Sequence, residues 1–148
     1  MAQRGKPRWS FLPVSTLPRP LNIAWCWFPL DEQPGTPGPK HRPTLVRALK
    51  LSPDGKMAAV EVTFGTSNAK FDSRPFDLII QNSSSLDCAG LPQVTRFDLD
   101  ITIWLPWASE FFTPREGYTS PITGYLDEAS RMQLEALKVA RRIHPERS

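Results

Sequence analysis

Residues 40–68 read KHRPTLVRALKLSPDGKMAAVEVTFGTSN, and the fold turns on how this stretch is paired. Two strand-like runs, 43–51 and 57–64, flank Ser52-Pro53-Asp54-Gly55. Proline pre-sets φ for a turn, and Asp-Gly supplies a residue that tolerates positive φ. In the second run Val60, Val62 and Phe64 alternate with Ala59, Glu61 and Thr63, the period of a half-buried strand. The reading is a β-hairpin. Antiparallel strands run back along each other, so the outer ends of a hairpin meet in space. Those ends are His41-Arg42 and Gly65-Thr66-Ser67. A guanidinium and two hydroxyls are thus expected at one edge of a sheet, a set of donors suited to an anion or a phosphate.

Working outward, residues 22–28 (NIAWCWF) form a first strand whose near-continuous hydrophobicity suits a central position. Residues 29–39 are a polar Pro/Gly loop, read either as a flap over the hairpin edge or as a disordered insertion. Beyond the hairpin, residues 76–81 (FDLIIQ) are a short strand and 82–92 a Ser-rich loop. In residues 96–105, Phe97, Leu99, Ile101, Ile103 and Leu105 alternate with Arg96, Asp98, Asp100, Thr102 and Trp104, which predicts one strand packed on one side. Residues 107–125 are irregular. A helix is predicted over 127–143, capped by Asp127, with Ala129, Met132, Ala136, Val139, Ala140 and Ile143 as the face laid on the sheet.

The chain has 148 residues, enough for one domain with a sizeable core. Its 16 prolines, about twice the usual share, disfavour long helices and favour short strands joined by turns. The expected architecture is mainly β: a small, curled antiparallel sheet or barrel over 22–148 with one C-terminal helix. Residues 1–21 are basic and proline-dotted and are read as a flexible or loosely docked arm, with Trp9, Phe11 and Leu12 available to dock on the body. The net charge of +3 is unevenly placed, with basic ends on a mildly acidic middle. This is too little to mark a nucleic-acid binder by charge alone.

Cys26 and Cys88 have no metal-ligand spacing, and Cys26 reads as a small core residue. No disulfide, no metal and no cofactor are expected, and the compartment is expected to be reducing. No run approaches a membrane span and no signal-peptide core is visible, so the expectation is a cytoplasmic protein.

With this order in hand, residues 22–137 resemble the MazF/PemK family of toxin ribonucleases. The resemblance rests on Ala24-Trp25-Cys26-Trp27-Phe28-Pro29, a loop, then Arg42-Pro43-Thr44-Leu45-Val46. It continues in Val60–Phe64 followed by Gly65-Thr66-Ser67, in Gly90-Leu91 ahead of a strand, and in a closing helix after Gly124. The resemblance implies an SH3-like barrel, usually a homodimer, with a cognate antitoxin that covers the hairpin-edge site. It implies metal-independent cleavage of single-stranded RNA by attack of a 2′-hydroxyl on the neighbouring phosphate. Arg42 would then steady the phosphoryl oxygens, with Thr66 and Ser67 as hydroxyl donors. His41 is a candidate general base, although alternation along a strand turns it away from the face of Arg42. Lys40, Trp25, Asn68 and Lys70 are the candidate RNA-binding residues. The alternative is a non-catalytic barrel that binds nucleic acid or a protein partner, including a host protein targeted by a phage or mobile element. The basic ends and the stacking capacity of Trp104 and Trp107 motivate it.

Overall fold

The structure is a computed structural model that describes residues 9–67 and 76–143. Strands β1 (Asn22–Trp27), β2 (His41–Leu51), β3 (Ala58–Thr66) and β4 (Leu78–Ile80) precede helix α1 (Ser83–Ala89). Then follow β5 (Thr95–Phe97), β6 (Ile103–Pro106), β7 (Ile122–Tyr125) and helix α2 (Glu128–Ile143). One antiparallel sheet runs β4-β5-β3-β2-β1-β7, with β6 paired to β3 off this path. The sheet curls into a half-barrel, the mainly β architecture expected from sequence. Among the described residues no helix is long and apolar enough to cross a membrane.

The hairpin forms as read. Ser52 N–H donates to Met57 O at 2.8 Å, and Gly55 N–H donates to Ser52 O at 2.9 Å. Asp54 Oδ1 accepts from the Ser52 hydroxyl at 2.6 Å and from Lys56 N–H at 3.0 Å, which pins the turn. Thr44 faces Phe64 and Val46 faces Val62, and a bulge at Arg47 shifts the register by one before Ala48 meets Glu61. The bulge raises the local twist and lets a long hairpin wrap round the core. Both strands extend further than the alternation showed, because Gly65 and Thr66 of β3 also pair with Phe97 and Arg96 of β5, and His41 and Arg42 of β2 pair with Trp27 and Cys26 of β1.

The core lies in two clusters. One gathers Ile23, Trp25, Leu45, Leu78, Phe97 and Leu134, and the other Ala24, Cys26, Val46, Val60, Val62 and Trp107. Successive β1 residues alternate between them, as strand geometry requires. Cys26 is a fully buried core residue, and burial drives its thiol pKa far up.

Several expectations are corrected. The single strand over 96–105 is two strands. Asp98 Oδ1 accepts from Asp100 N–H at 3.0 Å and Ile101 N–H donates to Asp98 O at 3.1 Å, so the chain turns at 98–101. β3 is shared along its length: Ala59–Val62 pair with β6, and Gly65–Thr66 pair with β5. The unbroken alternation therefore spans a corner, with Phe97 and Leu99 in one cluster and Ile103 and Leu105 on the other.

The expected loop 82–92 contains α1. Asn82 Oδ1 accepts from Ser85 N–H at 2.8 Å as an N-cap. Gly90 closes the helix at φ 69°, a left-handed conformation that suits glycine. Within 107–125, β7 pairs with β1, and Trp107, Phe111 and Phe112 are buried.

The inward face of α2 also differs from the expected one. Met132 is 67% exposed and Val139 46%, while Ser130 and Leu134 are buried and Leu137 packs on the core. Polar anchors select this face. Gln133 Oε1 accepts from Ile79 N–H at 2.9 Å and its Nε2 donates to Ile79 O at 3.1 Å. Asp127 caps the helix through Ser130 N–H at 2.9 Å and accepts from the Ser85 hydroxyl at 2.6 Å.

Residues 9–21, read as an arm, lie along the body. Trp9, Leu12, Val14 and Leu17 pack on the second cluster, and Leu12 N–H donates to Trp107 O at 2.9 Å. The loop 29–39 covers the same side: Pro34, Gly35 and Thr36 border a groove with Trp9, Trp104 and Phe111.

Candidate functional site

The outer ends of the hairpin do meet. Trp25, His41, Arg42, Thr66 and Ser67 line one pocket of about 140 Å³, closed by Gln93 from the α1–β5 connection and by Thr95 of β5. This is well below the roughly 300–1,000 Å³ of a pocket for a whole small molecule, so it has room for a single group and not for a nucleotide. The β2–β3 register ends at Thr44 opposite Phe64, so Arg42 and Thr66 each lie two residues beyond the last pair.

Arg42 is half-buried, and its guanidinium carbon lies 5.5 Å from the centroid of Phe64, which packs in turn against Phe28 at 4.9 Å. Stacking engages the face of a guanidinium and leaves its edge of N–H donors for a ligand. Ser67 is exposed, and its Oγ accepts from Gln93 Nε2 at 3.1 Å.

The backbone between them depends on Gly65. A Cβ there would meet Thr95 Cγ2 at 2.6 Å and Phe97 Cε1 at 2.7 Å. Its role is the close approach of β3 to β5. Gly65→Ala is expected to destabilise the protein by about 1–3 kcal/mol through overpacking, read as a lowered urea midpoint at unchanged m-value. A midpoint equal to that of the wild type would show that β5 yields freely.

His41 lines the same pocket, on the side of Trp25, whose ring centroid lies 5.7 Å from its own. Its ring stacks on Trp27 at 4.7 Å, and Nε2 lies 2.9 Å from the carbonyl oxygen of Thr113. Burial lowers its pKa, and the nearby Arg115 charge lowers it further, against the opposing pull of the Thr113 and Trp25 backbone. His41 is therefore neutral at neutral pH, with one ring nitrogen committed to Thr113. A folded pKa below the ordinary 6.5 means that the unfolded chain takes up the proton first as pH falls. The stability it contributes is full above pH 6.5 and lost below it. Melting temperature is expected to drop from pH 6.5 to pH 5, and to drop less in His41→Gln. Asp54, Glu110 and Asp127 have pKa values lowered by their hydrogen bonds, so their losses come at more acid pH.

Trp25 is only 8% exposed, and its indole N–H donates to Thr123 Oγ1 at 3.2 Å. It forms a wall of the pocket and presents no open face to a base. Lys40 is exposed and lies outside the pocket lining. Asn68 and Lys70 lie outside the described residues. Sequence reasoning missed Gln93, Thr95, Thr113 and Arg115. The first two follow a helix that was read as a loop, and the last two sit in a stretch without periodicity.

Comparison with protein-family models and with curated proteins gave no match for this chain.

Proposed function

We propose that the pocket is the active site of an endoribonuclease that cleaves single-stranded RNA without a metal ion, and that the protein is a growth-inhibiting toxin. The observation that carries this reading is that Arg42, Thr66 and Ser67, from opposite ends of one hairpin, line a single phosphate-sized pocket. The 2′-oxygen of the substrate attacks the adjacent phosphorus as its proton leaves. The bond to the 5′-oxygen breaks, and that oxygen takes up a proton. The products are a 2′,3′-cyclic phosphate and a 5′-hydroxyl. Arg42 donates to the phosphoryl oxygens as negative charge builds, and Thr66 and Ser67 add hydroxyl donors. His41 braces the wall through Thr113 rather than taking the proton. A homodimer and an antitoxin seated over the hairpin edge belong to the same reading.

The test is incubation of the protein with a long single-stranded RNA in EDTA, followed by analysis of fragment ends. Discrete fragments with 5′-hydroxyl ends are expected. A second reading, binding without cleavage, is favoured by Trp104, which is 45% exposed beside Trp9 and Met57, with Lys50 Nζ 5.8 Å from its ring. Intact RNA that binds in a salt-sensitive manner would replace the first reading by this one.

A further inference from the structure

A second arginine, Arg115, packs against Trp25, one of the residues that line the pocket. The Arg115 guanidinium carbon lies 4.7 Å from the centroid of Trp25 and 5.6 Å from that of Tyr118. Trp25 is itself pocket lining, so one indole joins the Arg42 pocket to Arg115. Two residues earlier, Thr113 holds His41 through its carbonyl, which ties the segment to the pocket wall. Arg115 is half-buried, whereas its neighbours Glu116 and Tyr118 are exposed. Among the described residues, the ion pairs are Arg96–Asp77, Lys138–Glu135 and Arg141–Asp100, and none engages Arg115. A guanidinium steadied by aromatic rings has lost rotamer freedom in advance and keeps its charge and edge donors for an anion.

The pocket, at about 140 Å³, takes one phosphodiester group. The rest of a bound strand must therefore lie along its rim. We infer that Arg115 grips a second phosphate of the strand, flanking the one held at Arg42, so that the ligand is an oligonucleotide with at least two phosphates. This rests on the proposed ribonuclease reading for the identity of the strand. It assigns a binding role to the aperiodic segment between Phe112 and β7.

The test compares a dinucleotide, with a single phosphate, and a tetranucleotide with the same cleavable step and flanking phosphates. Both are assayed with wild type, Arg115→Ala and Arg115→Lys. Binding of the tetranucleotide with a 2′-deoxy cleavable step is followed by tryptophan fluorescence across a salt series. Arg115→Ala is expected to raise KM for the tetranucleotide about tenfold more than for the dinucleotide, as for loss of a charged hydrogen bond, with the effect in KM rather than kcat. The salt slope of binding should shrink by about 0.7, the value for one phosphate contact on a single strand. Arg115→Lys, which keeps the charge, should recover most of the slope. Equal effects on the two substrates, or an unchanged salt slope, would overturn the inference and leave Arg115 as a cover for Trp25. Wild type that binds the deoxy tetranucleotide with an Arg115-dependent slope, yet cleaves neither substrate, would remove the ribonuclease reading and leave this one standing. Absence of any binding would overturn both.

Discussion

Arg42→Ala is expected to lower kcat on single-stranded RNA by about 10²–10³-fold, the usual effect of removing one donor that meets charge developing in a transition state. KM should change less, because the charge on the phosphoryl oxygens is greatest beyond the ground state. Arg42→Lys should fall between the two. It keeps a cation on the Phe64 ring, but one amine replaces a planar fork of donors. The measurement is single-turnover cleavage in EDTA with a defined oligonucleotide. Full activity in the alanine variant would remove Arg42 from the reaction, and with it the assignment built on the hairpin edge.

The second large effect concerns stability. Trp107 is 1% exposed, its ring centroid lies 4.8 Å from that of Phe112, and its Nε1 donates to Thr16 Oγ1 at 3.1 Å. Its backbone N–H donates to Ala58 O at 2.8 Å, so it joins the N-terminal segment to the start of β3. Trp107→Ala should destabilise the protein by about 3–5 kcal/mol, a large share of the roughly 5–15 kcal/mol available to a domain. Urea denaturation measures this directly. Limited proteolysis adds a second expectation: residues 9–21 should be cleaved faster, since Thr16 loses the indole N–H and Leu12 the packing of the indole, although Leu12 keeps its bond to the carbonyl of residue 107. A loss below about 1 kcal/mol would mean that the packing of the segment is independent of this indole.

The hairpin was legible because its signals are local. A turn sequence, a period of two and the geometry of antiparallel strands suffice to bring Arg42 near Thr66, and no other part of the chain has to be placed first. What the sequence hid depends on partners distant in the chain. The alternation over 96–105 is real, but an alternating pattern does not say that its two halves will face different clusters across a turn at Asp98. The inward face of α2 was misassigned because counting apolar residues favours Met132 and Val139. The helix is instead oriented by Gln133 on Ile79 and Asp127 on Ser85, polar contacts that no periodicity carries. Helix α1 did leave a signature, Asn82 at one end and Gly90 at the other, masked by serines that suggest a loop. Arg115 had none, since its place over Trp25 depends on a course of chain that follows no repeat.

The contact between Gln133 and Ile79 bears on more than the orientation of α2. Among the described residues β4 is the last strand on its side, and the end of a sheet offers its unpaired amides and carbonyls to any passing chain. By donating and accepting at one backbone unit, the Gln133 amide imitates a single residue of a neighbouring strand. One backbone unit of that edge is thereby occupied by a side chain from a helix and is closed to an incoming strand.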